Sequence, residues 1–335
     1  MRRVLLTLAL LVAGTTVPAT TVNSAPARAA DDPGTIGVGL LDAPSSLRDD
    51  PRAQQYIIDH LPPGAIIHRH VKIANNTPHT QRFTTYPGAA TISGGVFKFA
   101  SRHTPNELAT WTTLDHTSLS IPPESDAVVT VTITVPRDAS PGERYGVIWA
   151  ETAGPTTGGS LHLVNLVGIR IYLDIGPGGP PASNFTITSL TAKRLPDGHP
   201  AITAQVHNTG GRALDLAGTM NLADGPGGLN AGPFRTTLGT TLAPTQSEPV
   251  TVTLDRQLPD GPWKAVLTLH SGLIYKTIHV TIRFPHDTGT AHAVTISTMG
   301  SRYTTVALLT GGTIGLVAII ALLLGLRRRR RPSQT

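Results

Sequence analysis

His68-Arg69-His70 places two imidazoles two residues apart. On a strand, positions i and i+2 face the same side, so both rings could meet one ion. A metal site needs a third or fourth ligand, and the sequence nominates none. His68 and His70 are therefore candidate ligands set against a plainer reading as exposed strand histidines. Tyr86, Trp111 and Trp149 are candidate ligand-binding residues, because flat rings can stack on sugars. Core packing is the competing reading for Trp111, Trp149 and Trp263. Covalent chemistry has no signature: there is no G-x-S-x-G elbow, no H-E-x-x-H and no P-loop. The absence of cysteine removes disulfides, thiolate metal sites and a thiol nucleophile. Scattered Ser, His and Asp residues make no triad. The expectation is a binding protein with no catalytic residues and no cofactor.

The elements that must carry such residues are strands. Val129, Val131, Ile133 and Val135 alternate with Thr130, Thr132 and Thr134, giving one apolar and one hydroxyl face. Val147–Glu151 and Leu161–Ile175 continue in that style, as do 185–187, 202–206, 250–254, 266–269 and 278–282. The 34 Gly and 28 Pro punctuate nearly every segment, which suits short strands and turns. Gly176-Pro177-Gly178-Gly179-Pro180-Pro181 reads as a linker between domains at 36–175 and 182–284. The two halves echo each other. Val71 to Thr77 resembles Ala204 to Gly210, and Ile121-Pro122-Pro123 resembles Leu242-Ala243-Pro244. That order predicts an all-β exterior of two Ig-like β-sandwiches in tandem.

The ends read as addresses. Arg2 and Arg3, the apolar run Val4–Ala13 and the Ala27-Arg28-Ala29-Ala30 site predict a signal peptide over 1–29, cleaved after Ala29 or Ala30. A weakly structured linker over 285–303 precedes 23 uncharged residues, 304–326, which predict one C-terminal transmembrane helix. Arg327, Arg328, Arg329, Arg330 and Arg331 then act as a stop-transfer signal opening a cytoplasmic tail over 327–335. The formal net charge of +6 belongs to these ends. Eight of the 27 basic residues lie there, leaving 19 against 21 acidic residues, or −2, which excludes nucleic acid as a partner of the folded part.

Several motifs taken together resemble a family. They are Tyr56 with Leu61-Pro62-Pro63-Gly64, Asn75-Asn76-Thr77, Tyr86-Pro87-Gly88-Ala89-Ala90, Gly95-Val96-Phe97, Trp111, Val135-Pro136 and Pro141-Gly142-Glu143-Arg144-Tyr145-Gly146. With the signal and the basic-ended span, the chain resembles the WxL-interacting proteins, the DUF916 cell-surface proteins, in an actinobacterial style. The resemblance implies a Gram-positive surface, a first domain that binds peptidoglycan and a second that binds a host or a WxL surface protein. The expected function is a non-catalytic, single-pass plasma-membrane protein with an extracellular N-terminal ectodomain, binding cell-wall peptidoglycan, surface proteins or both. The alternative is a chaperone-like assembly accessory that acts by strand addition on a client.

Overall fold

The computed structural model describes residues 35–153, 164–237 and 239–296. The architecture is all-β, and its sheets stack in two sandwich-like pairs. In the first pair the strands are β1 (Thr35–Leu40), β2 (Ile57–Leu61), β3 (Ile66–Asn76), β4 (Gln81–Ser93) and β5 (Val96–Phe99). A one-turn helix α1 (Glu107–Trp111) follows, then β6 (Thr112–Leu114), β7 (Ser118–Ile121), β8 (Ser125–Thr134), β9 (Gly142–Ala153) and β10 (Val164–Ile175). One sheet has the order β1-β3-β8-β6. The other runs β2-β10-β9-β4-β5, with β7 also paired to β4.

The period-two pattern decides which faces meet. Val131 and Ile133 of β8 and Val71 of β3 point inward, and Ile148 of β9 and Ile169 and Ile171 of β10 meet them from the other sheet. Each is at most 3% exposed. Burying such a side chain stabilises the fold by about 1.5–3 kcal/mol. Asn106 caps α1, its Oδ1 accepting from the Ala109 amide at 2.9 Å.

The second pair comprises β11 (Phe185–Arg194), β12 (Pro200–Asn208), β13 (Leu214–Ala223), β14 (Ala231–Arg235), β15 (Thr240–Leu242) and β16 (Ser247–Thr253). It is completed by β17 (Trp263–Ser271), β18 (Ile274–Ile282), β19 (Gly289–Thr290) and β20 (Val294–Thr295). Its sheets run β16-β12-β11-β19, with β20 also on β11, and β14-β13-β17-β18, with β15 also on β13. Trp263 is fully buried at its centre and donates its indole N–H to the Pro259 carbonyl at 2.9 Å.

The echo between the halves has a structural counterpart. Asn75 at the end of β3 and Asn208 at the end of β12 are both fully buried. The Asn75 amide donates to the carbonyls of Ile121 and Pro122, and the Asn208 amide donates to those of Arg212 and Leu242. Their Oδ1 atoms accept from the amides of Thr77 and Gly210. Each asparagine thus ties a strand end to the turn after it and, within its own half, to the residue at the matching place, Ile121 or Leu242.

Within the expected weakly structured linker at 285–303, the described residues 285–296 carry two short strands, and 297–303 lie outside the described residues. Gly289–Thr290 and Val294–Thr295 add as short strands to the outer edge of β11. The signal peptide at 1–29 with its cleavage residues Ala29 and Ala30, the span at 304–326 and Arg327–Arg331 lie outside the described residues. Among the described residues no helix is long and apolar enough to cross a membrane.

Candidate functional site

Two features at one end of β10 form the site. The first is an open strand edge. β9 covers one side of β10 along its whole length, from Val164↔Ala153 to Ile175↔Gly142. On the other side β2 pairs in parallel only with Ile171–Ile175. Among the described residues no strand pairs with Val164–Arg170 on that side. These seven residues span about 23 Å, and it is their outward-facing backbone donors and acceptors that lack a strand partner among the described residues. β1 packs beside this stretch through Ile36, Val38 and Leu40, but its hydrogen-bonded ladder is with β3.

The second feature is the junction of the two sandwiches, where Asp215 of β13 gathers donors. Its Oδ2 accepts from Arg52 Nε at 2.9 Å, and its Oδ1 from the Tyr172 hydroxyl at 2.9 Å, Thr241 Oγ1 at 2.8 Å and Arg170 Nη1 at 3.2 Å. Arg52 Nη2 also stands 2.8 Å from Oδ2, but as a charge contact without hydrogen-bond alignment. Arg52 Nη1 donates to the Ala213 carbonyl, and the Ala213 amide donates to Glu143 Oε2 at 2.8 Å. Glu143 also accepts from the Tyr145 hydroxyl at 2.7 Å. The Thr241 amide donates to the Gly95 carbonyl, adding a backbone bond between the halves.

Electrostatics follow burial. Desolvation pushes the Glu143 carboxyl above the ordinary range, against the Tyr145 and Ala213 donors and the Arg212 charge. Desolvation also raises the Tyr172 and Tyr145 hydroxyls, reinforced by Asp215 and Glu143 respectively, so both stay protonated donors. Burial works against the Arg52 charge, yet Asp215, Tyr172 and Asp50 together outweigh it and the Arg52 pKa rises. The Arg170 guanidinium lies over the rings of Phe97 (4.8 Å) and Tyr56 (5.4 Å). Arg52, Tyr56, Arg170, Asp215, His270 and Tyr275 line a cavity of about 530 Å³ shared by the two halves. Arg170, the last residue of the open edge, leads into it.

Few of the residues singled out from sequence belong here. Tyr86 and Trp149 are cross-strand partners on β4 and β9 and pack with Val147 and Leu166. They are only 7% and 9% exposed. The Tyr86 hydroxyl donates to Glu151 at 2.8 Å, and His103 stacks on its ring. Desolvation and that bond raise its pKa. Trp111 sits apart at the end of α1, half-buried beneath the Arg144 guanidinium. The three rings therefore form no exposed platform. His68 and His70 are exposed on β3, with Nδ1 bonded to Thr132 Oγ1 and to Asp42 respectively. Among the described residues no group of three or more His, Asp or Glu is gathered to hold a metal. Asp215 and its partners were not singled out from sequence, and the only local signal is a lone carboxylate between Leu214 and Leu216.

No family model matches the chain, and no curated protein matches it. Solved structures do. The crystal structure of the YadV chaperone is 10% identical, covering 73% of this chain and 99% of that chain, with a TM-score of 0.41. The SafB chaperone in complex with the SafA pilin of Salmonella enterica is 10% identical, covering 78% and 96%, at 0.40. The E. coli chaperone DraB is 9% identical, covering 74% and 98%, at 0.39. The expected peptidoglycan binder is corrected here. Tyr86 and Trp149 are packed inside and Trp111 is half-buried beneath Arg144, and most of the solved structures matched are chaperones, among them a class 5 fimbriae chaperone. The single-pass plasma-membrane placement is corrected with it, while no finding bears on the WxL-interacting resemblance. The neighbours found are chaperone structures, and among the described residues no helix is long and apolar enough to cross a membrane.

Proposed function

We propose that this chain is a non-catalytic assembly accessory that binds an extended segment of a client protein as an added strand on the open edge of β10. The observation that carries the reading is the seven-residue edge Val164–Arg170, which among the described residues has no hydrogen-bonded strand beyond β9 where β2 stops at Ile57↔Ile171, only β1 packed beside it. Exposed strand edges invite pairing, and strand addition draws affinity from main-chain hydrogen bonds. The two sandwiches are read as Ig-like bodies, and the client as a surface protein.

Direction follows from charge. A client strand running parallel to β10, as β2 does, ends where Tyr56 leads into β2. Its C-terminal carboxylate then meets the cavity that Arg52 and Arg170 line. An antiparallel strand would bring a terminal ammonium to the same two guanidiniums, an unfavourable like-charge approach. Alternate client side chains would lie beside Leu166 and the Trp149 ring on one face and Val167 on the other.

The test uses a displayed library of ~15-residue peptides, selected once with free C-termini and once amidated. Enrichment of alternating apolar sequences only with free carboxyl ends, with amide-exchange protection of 164–170, is expected. Arg170→Ala should weaken the selected peptides by about tenfold, consistent with one charge-assisted bond of about 1.5 kcal/mol. Selected peptides that protect a different strand, or that bind Arg170→Ala unchanged, would overturn the reading.

A further inference from the structure

The outer edge of β11 is occupied by a later segment of the same chain. Gly289 and Thr290 pair with Arg194 and Lys193, and Val294 and Thr295 pair with Leu190 and Ser189. The Ala291 amide donates to the Ala192 carbonyl and the Ile296 amide to the Thr188 carbonyl, both at 2.9 Å. This strap is held almost entirely by backbone bonds: Gly289, Thr290, Val294 and Thr295 are all exposed. Such bonds, made in contact with water, stabilise by only about 0.5–1.5 kcal/mol each. The base of the strap is better fixed. Arg194 Nε donates to the Pro285 carbonyl at 2.7 Å, Arg194 Nη2 pairs with Asp260 at 2.7 Å, and His286 Nδ1 lies 3.0 Å from the same carboxylate.

Beneath the strap, β11 is a ten-residue strand whose Phe185, Leu190 and Ala192 are locked into the core, so its register is fixed from inside. A strand so fixed, with its outer backbone free, is a template for another chain. We propose that the segment 285–296 is an intramolecular cover, and that the edge it closes is a self-association surface whose partner is β11 of a second copy of this chain.

Two observations favour a second copy. Two-fold symmetric edge pairing must be antiparallel, and the strap shows that this edge accepts an antiparallel strand. Centring the two-fold on Leu190 sets Lys193 and Arg194 of each copy against the Phe185–Ile187 end of the other, beyond the register shift between Ile187 and Ser189, so like charges do not face one another. The result would be one sheet continuous across two molecules. The strap blocks it as a tethered competitor, for which short tethers give effective concentrations in the millimolar range.

The test compares the whole chain with the double variant Ala291→Pro/Ile296→Pro, which deletes the two donors to Ala192 and Thr188. Thr290→Pro is the control, since antiparallel alternation turns its N–H away from β11. Amide exchange on β11 is followed from ~1 µM to ~1 mM protein alongside sedimentation. In the wild type and the control, strap-facing β11 amides should exchange slowly at every concentration. In the double variant they should exchange at least tenfold faster when dilute. They should become slow again when concentrated, as the sedimenting mass doubles. Fast exchange at all concentrations would overturn self-pairing, and slow exchange when dilute would overturn the cover. Should the double variant lose protection in β17 as well, Ile296→Pro alone decides. It sits at the strap's outer end, and exchange at Thr188–Leu190 that is independent of concentration would overturn the proposal.

Discussion

Replacing Asp215 with alanine should uncouple the two sandwiches. The carboxylate accepts from Arg52, Arg170 and Tyr172 of the first sandwich and from Thr241 of the second. Its side chain is 19% exposed, and those of Arg52 and Arg170 are 12% and 25% exposed. Removing one partner from a buried ion pair costs about 3–5 kcal/mol, because the remaining charge is left uncompensated. Partial solvent access at Arg170 reduces this, so about 2–4 kcal/mol is expected. The Arg52→Ala/Asp215→Ala cycle should return a coupling of about 1–3 kcal/mol, within the range for residues in one network. Urea unfolding followed by tryptophan fluorescence reads the two halves separately. Trp263 reports the second sandwich, and Trp111 and Trp149 report the first, in variants that keep one reporter set. The wild type should give coincident transitions and Asp215→Ala separated ones, with the loss insensitive to salt. A loss under ~0.5 kcal/mol, the scale of an ordinary surface change, would refute the view of Asp215 as the latch.

Other consequences are equally open to measurement. A Cβ at Gly168 would stand 2.6 Å from Trp149 Cε3 and 2.8 Å from Val147, so Gly168→Ala should cost about 1–3 kcal/mol and alter the near-UV circular dichroism of Trp149. Asn75→Ala and Asn208→Ala should each lose about 2–4 kcal/mol in chemical denaturation, since each strands buried carbonyls at a strand end. The His286 pKa is raised by its bond to Asp260, with Asp287 adding and Arg194 opposing. A raised histidine pKa means that the contact holds fully below about pH 6.5 and is lost as pH rises through the folded value. Amide exchange of 286–291, corrected for intrinsic rates, should therefore quicken between pH 6 and 8 in the wild type but not in His286→Gln.

Much of the strand pattern was legible in the sequence, because period-two alternation reports which face is buried. Val129, Val131, Ile133 and Val135 are each at most 1% exposed. The Asn75 and Asn208 echo was legible too, since the same capping job requires the same side chain. The strap on β11 was not, because Gly289–Thr290 and Val294–Thr295 are short and polar and bury almost nothing. Trp149 shares its face with Val147 and Glu151, a mixed pattern that does not predict burial; it is buried because Tyr86 and Leu166 close over it from β4 and β10. Asp215 alternates with Leu214 and Leu216 like any solvent-facing position, while its partners Arg52, Arg170 and Tyr172 lie 163, 45 and 43 residues away. Only the folded topology brings them together.

The open edge and the latch have one origin in the chain. A strand that continued β2 upstream along β10 would use residues 50–56 to cover Arg170 and the positions before it. Instead those residues coil. The Asp50 carboxylate accepts from the Arg52 amide at 2.9 Å, and the Tyr56 amide donates to the Arg52 carbonyl at 2.8 Å. This tight turn swings Arg52 out of the sheet and delivers its guanidinium to Asp215 of the second sandwich. The same residues cannot both pair with β10 and reach β13. Extending β2 would close the edge only by withdrawing Arg52 from the junction, so an exposed edge is the structural consequence of holding the sandwiches together at this point. That linkage brings the edge Val164–Arg170, which has no second strand partner among the described residues, together with the two guanidiniums and the shared cavity, as the proposed strand addition needs.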